Sequence, residues 1–152
     1  VNPSRGLGDV YKRQTIPGFL GPLAGILSGL RWAQNLNADC LISVAADTPF
    51  FPENLVEKLA NNTADMNEPL ALAVTRDEKG KVHRHPTFGI WPVSLADNLE
   101  NALLKGLRKI VLWVDQNDGR GVEFDQCLFD PFFNVNSPDD LAEAERLIGM
   151  TK

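Results

Sequence analysis

An apolar run of strand length that stops on a carboxylate, CLISVAAD over Cys40–Asp47, most narrows what this chain can fold into. Cys40, Leu41, Ile42, Val44, Ala45 and Ala46 make a nearly continuous apolar stretch, the mark of a strand covered on both faces. Asp47 ends it, and Pro49 lacks the backbone donor that further pairing requires. An acid so placed lies at the C-terminal rim of a sheet, where ligands bind in open α/β folds. Asp also organises turns through its own side chain, so the run alone leaves both readings open.

A strand covered on both faces needs helices around it, and the neighbouring sequence provides them. In GPLAGILSGLRWAQNLN, Pro22 follows Gly21 and takes the favoured first-turn position. Leu23, Ile26, Leu27, Leu30 and Ala33 then recur at helical spacing. FPENLVEKLANN reads as a second helix opening on Pro52. LALAVTRD reads as a strand, EKGK as a turn near Gly80, and HPTFGIWPV as the returning strand of an antiparallel hairpin. SLADNLENALLKG predicts a helix capped by Ser94 and ended at Gly106. RKIVLWV fits strand or helix, while GVEF and FFNV read as short strands. SPDDLAEAERLIG predicts a last helix, capped by Ser137 with Pro138 at its first position. This alternation implies one three-layer α/β domain.

The first residues stand apart. SRGLGDVYKRQ has glycines and basic groups like a phosphate loop, but no strand precedes it and no periodic helix follows directly. Back-translated, it matches a transposon adapter end used in sequencing libraries. Residues 1–14 are therefore expected to be an adapter-derived, non-native segment, and residues 15–152 the C-terminal major part of a single domain. A 152-residue chain with 43% apolar residues can bury one core. No apolar run approaches the roughly 18–20 residues of a membrane span. Cys40 and Cys127 have neither metal-site spacing nor a disulfide framework, which suits a reducing cytoplasm. A net charge of −5 argues against general nucleic-acid binding.

GPLAGILSGL, ADTPFFP, HPTFGIWP, GLRK and FFNVNSPDDLAEAE follow the order and spacing of the molybdenum cofactor guanylyltransferase (MobA) family, which the chain resembles from Thr15 to its last helix. The resemblance implies a Rossmann-like nucleotidyltransferase fold. The expected form is a three-layer sandwich on a mostly parallel sheet with an antiparallel hairpin, lacking its first β-loop-α unit. It further implies transfer of GMP from GTP to molybdopterin with Mg²⁺, yielding the guanine dinucleotide and pyrophosphate. Possible partners are molybdenum-insertion proteins and molybdoenzyme chaperones, with neither nucleic acid nor membrane. The family's opening strand and glycine-rich GTP loop have no counterpart here, so the chain as written is expected to be inactive.

By the family pattern Asp47 resembles the catalytic, magnesium-holding carboxylate, a role that suits a reaction bringing anionic phosphates together. Gly21 and Gly25 lie four apart on one helix face, where missing side chains let a nucleotide approach backbone. Close packing on the sheet is the competing account of Gly25. Asn134 and Asn136 alternate around Val135, so their amides share a strand face and suit a polar pterin. Arg108 and Lys109 offer cations for its phosphate, or else solvated surface charge. His83 and His85 form an H-x-H pair without a third metal ligand nearby in sequence. By the resemblance, His85 belongs to the pterin-side strand instead. Thr48 reads as a turn hydroxyl, Phe88 and Trp91 as core or pocket wall, and Cys40 as a small buried hydrophobe. Three alternatives remain: a molybdopterin cytidylyltransferase, another small-molecule nucleotidyltransferase, and a non-catalytic molybdopterin-binding module.

Overall fold

The structure, a computed structural model, describes residues 21–45 and 52–125 together with Asp139 and Ala142, both helical and exposed. Helix α1 (Pro22–Asn35) buries Leu23, Ile26, Leu27, Leu30 and Ala33, the stripe its spacing predicts. Each large aliphatic so buried contributes about 1.5–3 kcal/mol. A short connector leads to β1 (Cys40–Ser43). Helix α2 (Leu55–Asn61) starts three residues after Pro52, and its Leu55 and Leu59 are buried. Strand β2 (Ala71–Arg76) turns back into β3 (Val82–Pro92). A 3₁₀ turn (Val93–Leu95), α3 (Ala96–Leu104), α4 (Ile110–Gln116) and β4 (Arg120–Glu123) follow.

One local expectation needs correcting, and one open reading is resolved. Ser94 does not cap α3: it lies in the 3₁₀ turn, and its hydroxyl donates to Glu68 Oε2 at 2.6 Å. The RKIVLWV stretch resolves to helix from Ile110, because Ile110, Trp113 and Val114 face the core at helical spacing. The C-terminal end of α3 is as expected. The Gly106 amide bonds the Leu103 carbonyl and the Leu107 amide that of Ala102, the paired bonds of a Schellman stop.

The expectation of a mostly parallel sheet is overturned. Among the described residues the strand order is β1-β3-β2-β4; β3 pairs antiparallel with both β1 and β2, and of these pairings only β2–β4 is parallel. The reason lies in where the hairpin strand goes. Strands β1, β2 and β4 share one direction, but the eleven-residue β3 inserts between β1 and β2 and reverses both of those pairings. The hairpin is legible in sequence, whereas insertion of its second arm into the sheet centre is not.

A proline inside a central strand is unusual, since it cannot donate to the ladder. Pro86 is tolerated because the register slips there: Leu72 opposes Gly89, yet the next residue, Ala73, opposes His85. The extra residues Pro86–Phe88 bulge out of the β2–β3 ladder. The Trp91 Nε1 donates to Ser43 Oγ and that hydroxyl donates to the Thr87 carbonyl, each at 2.8 Å, tying the bulge to β1.

Helices cover both faces. On one, Leu72, Val74 and Trp91 pack with Leu23, Ile26, Leu27 and Leu30 of α1 and with Leu99, Leu103 and Trp113 of α3 and α4. On the other, Ala71, Ala73, Phe88, Ile90, Val122 and Phe124 pack with Leu55 and Leu59 of α2. Trp91 and Phe88 are thus core, as expected. Cys40 is only half-buried; even so, burial pushes its thiol up, aided by the charge of Asp39.

Candidate functional site

Three features converge on one rim of the sheet. The first is the end of β1, beyond which the chain proceeds toward Asp47. Because β3 opposes β1 with Ser43 across from Gly89, the bulge and His85 lie on the side toward which β1 points. The second is therefore the His85–Phe88 stretch. The third is the N-terminal end of α1: four residues join α1 to β1, so helix and strand run oppositely and the helix begins where the strand finishes. Gly29 anchors this arrangement, since a Cβ there would fall 2.6 Å from Leu41 Cδ2.

Gly21 and Gly25 therefore sit at the expected end of α1. Gly21 is the N-cap, with φ of 97° that side-chain-bearing residues rarely adopt, and its carbonyl accepts the Gly25 amide at 3.3 Å. No side chain caps this end among the described residues. First-turn amides that capping side chains leave alone are a suitable partner for phosphate oxygens. Gly21 is exposed and Gly25 half-buried.

His85 is half-buried on β3, and its Nε2 lies 2.8 Å from Thr75 Oγ1. His83, two residues earlier, contacts a different group: its Nε2 is 2.9 Å from Asp77 Oδ2. Asp77 also accepts the Lys79 and Lys81 amides, each at 2.9 Å. The hydrogen bond with His83, then that of the Lys81 amide, holds the Asp77 carboxyl below the usual carboxylate range. The two histidines are thus engaged separately, one by the hairpin turn and one by the sheet. Among the described residues no group of three His, Cys, Asp or Glu could hold a metal ion.

Arg108 has a structural task that the sequence did not reveal. Its Nη1 donates to the Leu103 and Leu107 carbonyls at 2.9 and 2.8 Å, closing the C-terminal end of α3 where the helix dipole is negative. Lys109 is exposed and forms the N-cap position of α4. Asp47, Thr48, Asn134, Asn136, Ser137, Pro138, the FFNV stretch and residues 1–14 lie outside the described residues.

Sequence reasoning missed the supporting groups Thr75, Ser43 and the Trp91 indole N–H. One signal was available. Thr75 ends an otherwise apolar buried run, Leu70–Val74, and at 1% exposure its hydroxyl needs a polar partner. Among the described residues no helix is long and apolar enough to cross a membrane.

Comparison with known proteins adds to this geometry. The MobA-like NTP transferase domain family matches residues 5–118. The chain is 43% identical over 138 residues to a molybdenum cofactor guanylyltransferase of Bradyrhizobium sp. (strain ORS 278), covering 89% of this chain and 63% of that protein. It is 37% identical over 151 residues to the protein of that name from Rhodopseudomonas palustris (strain BisB5), covering 96% and 70%. Against the first three such relatives it spans only 62–64% of their length. Among solved structures, molybdopterin-guanine dinucleotide biosynthesis protein A from Archaeoglobus fulgidus superposes with a TM-score of 0.63 at 25% identity, covering 97% of this chain and 74% of that one. A 4-diphosphocytidyl-2C-methyl-D-erythritol synthase from Anaerococcus prevotii gives the same TM-score at 13% identity, covering 97% and 78%, a likeness of fold alone. The Rossmann-like nucleotidyltransferase architecture is supported, with the corrected sheet.

Proposed function

The chain belongs to the molybdenum cofactor guanylyltransferase family, of MobA-like NTP transferase type, and from that premise we propose that its protein transfers GMP from GTP to molybdopterin. The products are molybdopterin guanine dinucleotide and pyrophosphate. The observation that carries the reading is sequence likeness to guanylyltransferases running through nearly the whole chain.

In this reading the terminal phosphate of the pterin attacks the α-phosphorus of GTP at the rim beyond β1. Gly21 and Gly25 bring helix backbone close to the nucleotide phosphates. Asp47 is the catalytic carboxylate and the residue that would hold Mg²⁺. One carboxylate, phosphates and water are a donor set that Mg²⁺ favours, and the ion would offset phosphate repulsion. His85, Asn134, Asn136, Arg108 and Lys109 form the molybdopterin side. For Arg108, contact with the pterin phosphate must coexist with its bonds to the end of α3. The setting is cytoplasmic, with handover to molybdenum-insertion proteins or molybdoenzyme chaperones.

The test incubates the complete protein with molybdopterin, Mg²⁺ and either GTP or CTP, and follows pyrophosphate release and dinucleotide mass. GTP-dependent formation of the guanine dinucleotide is expected. Equal or preferred use of CTP would refute the guanylyl assignment, and no transfer from either nucleotide would refute the reaction class.

A further inference from the structure

Strand β2 is buried on both faces, and its residues Ala71, Leu72, Ala73 and Val74 are all apolar. The next residue, Thr75, is equally buried at 1% exposure but carries a hydroxyl where a valine of the same shape would fit. That hydroxyl has one hydrogen-bond partner among the described residues, His85 Nε2 at 2.8 Å. The contact crosses from one central strand to its neighbour. Ala73 opposes His85 and Thr75 opposes His83, so Thr75 reaches His85 along the diagonal of the ladder. Immediately after His85 the ladder breaks into the Pro86–Phe88 bulge. Bulges beside functional sites re-aim side chains, and such a re-aimed ring needs a fixed partner.

We propose that Thr75 is a positioning residue for the transfer reaction: it holds the His85 imidazole by Nε2 and leaves Nδ1 for every other interaction of the ring, including an anionic oxygen of the pterin substrate. The inference rests on the functional reading above. Which ring nitrogen carries the proton is set by the bond the other makes. The buried hydroxyl has no other acceptor among the described residues, so it donates to Nε2 and puts the ring proton on Nδ1. The ring therefore meets substrate in one orientation instead of several. The role is positioning, since Thr75 itself is too buried to meet a ligand.

The experiment compares wild type, Thr75→Ser and Thr75→Val in the complete protein. Long-range ¹H–¹⁵N spectra report the tautomer of His85, and steady-state kinetics separate the two substrates. Thr75→Ser keeps the hydroxyl and should retain both the wild-type ring spectrum and the wild-type kinetics. Thr75→Val keeps the shape, so it should fold with unchanged circular dichroism. Its His85 nitrogen shifts should move toward a tautomer average. Its KM for molybdopterin should rise about tenfold, the loss of one ordinary hydrogen bond's worth of orientation. The KM for GTP should stay within about twofold of wild type, below what loss of such a bond would produce. A valine variant with unchanged ring shifts, or one that raises the GTP KM as much as the molybdopterin KM, overturns the inference. If wild type transfers no GMP, the functional reading fails and the ring spectra alone decide: unchanged shifts in Thr75→Val then overturn the positioning role.

Discussion

Gly89→Ala should be among the most destabilising single-methyl additions in this protein. A Cβ at Gly89 would lie 2.6 Å from Trp91 Cζ2, 3.0 Å from its Cε2 and 2.7 Å from the Ala71 carbonyl oxygen. Carbon atoms in contact prefer about 3.5–4.0 Å, so something must move by roughly 1 Å. None of the neighbours is free to do so. The Trp91 ring is fully buried and tilted against Trp113 at a centroid distance of 6.1 Å, while the Ala71 carbonyl belongs to the central ladder. Overpacking of this kind costs about 1–3 kcal/mol. Displacing the indole also strains its bond to Ser43, and a bond of that type is worth about 1 kcal/mol. The expected loss is about 3 kcal/mol, or about 6–12 °C in Tm for a chain of this size. Urea denaturation followed by tryptophan fluorescence measures it. The companion is a double-mutant cycle with Trp91→Leu, in which removing the ring relieves the contacts with the indole but not that with the Ala71 carbonyl, so the two losses fall short of additive. A Gly89→Ala protein within about 0.5 kcal/mol of wild type would refute the reasoning, because surface-like tolerance is incompatible with a clash against a fixed ring.

Asp47→Asn keeps size and removes charge, so transfer by the complete protein should fall at least about 100-fold with Tm nearly unchanged; a magnesium titration of near-normal rate would remove Asp47 from the metal role. Arg108→Met should lose about 1 kcal/mol by removing the guanidinium from the Leu103 and Leu107 carbonyls at the end of α3, and chemical denaturation checks it; a change in molybdopterin affinity beyond that loss would add a ligand role. The Asp77 carboxyl is held low by His83 and the Lys81 and Lys79 amides, so its stabilisation is full above the unfolded value of about 3.9 and disappears as pH falls through the folded one. Exchange protection of the Lys79 and Lys81 amides should accordingly drop below about pH 4, and Asp77→Asn should abolish that acid-dependent change.

What the sequence determined by itself is local. The stripe Leu23, Ile26, Leu27, Leu30, Ala33 dictates a helix with one buried face, and that face is buried. The turn before Gly80 and the stop at Gly106 follow from backbone freedom that few other residues have. The order of the described helices and strands, RKIVLWV excepted, and the kinship of the chain were equally legible because each rests on short motifs read in series. Tertiary structure alone decided the rest. The placement of β3 between β1 and β2 depends on which sheet edge accepts the hairpin, a pairing across many residues that no local pattern encodes. Ser94 looked like a helix cap, but the chain reached α3 through a 3₁₀ turn and the hydroxyl found Glu68 instead. Arg108 reads in sequence as a cation for a ligand, and only the fold adds its second task by bringing the Leu103 carbonyl within 2.9 Å of its guanidinium. Thr75 read as one more strand residue. Only the diagonal across the ladder shows that its hydroxyl meets His85, because hydrogen bonds between strands follow register, and register belongs to the assembled sheet.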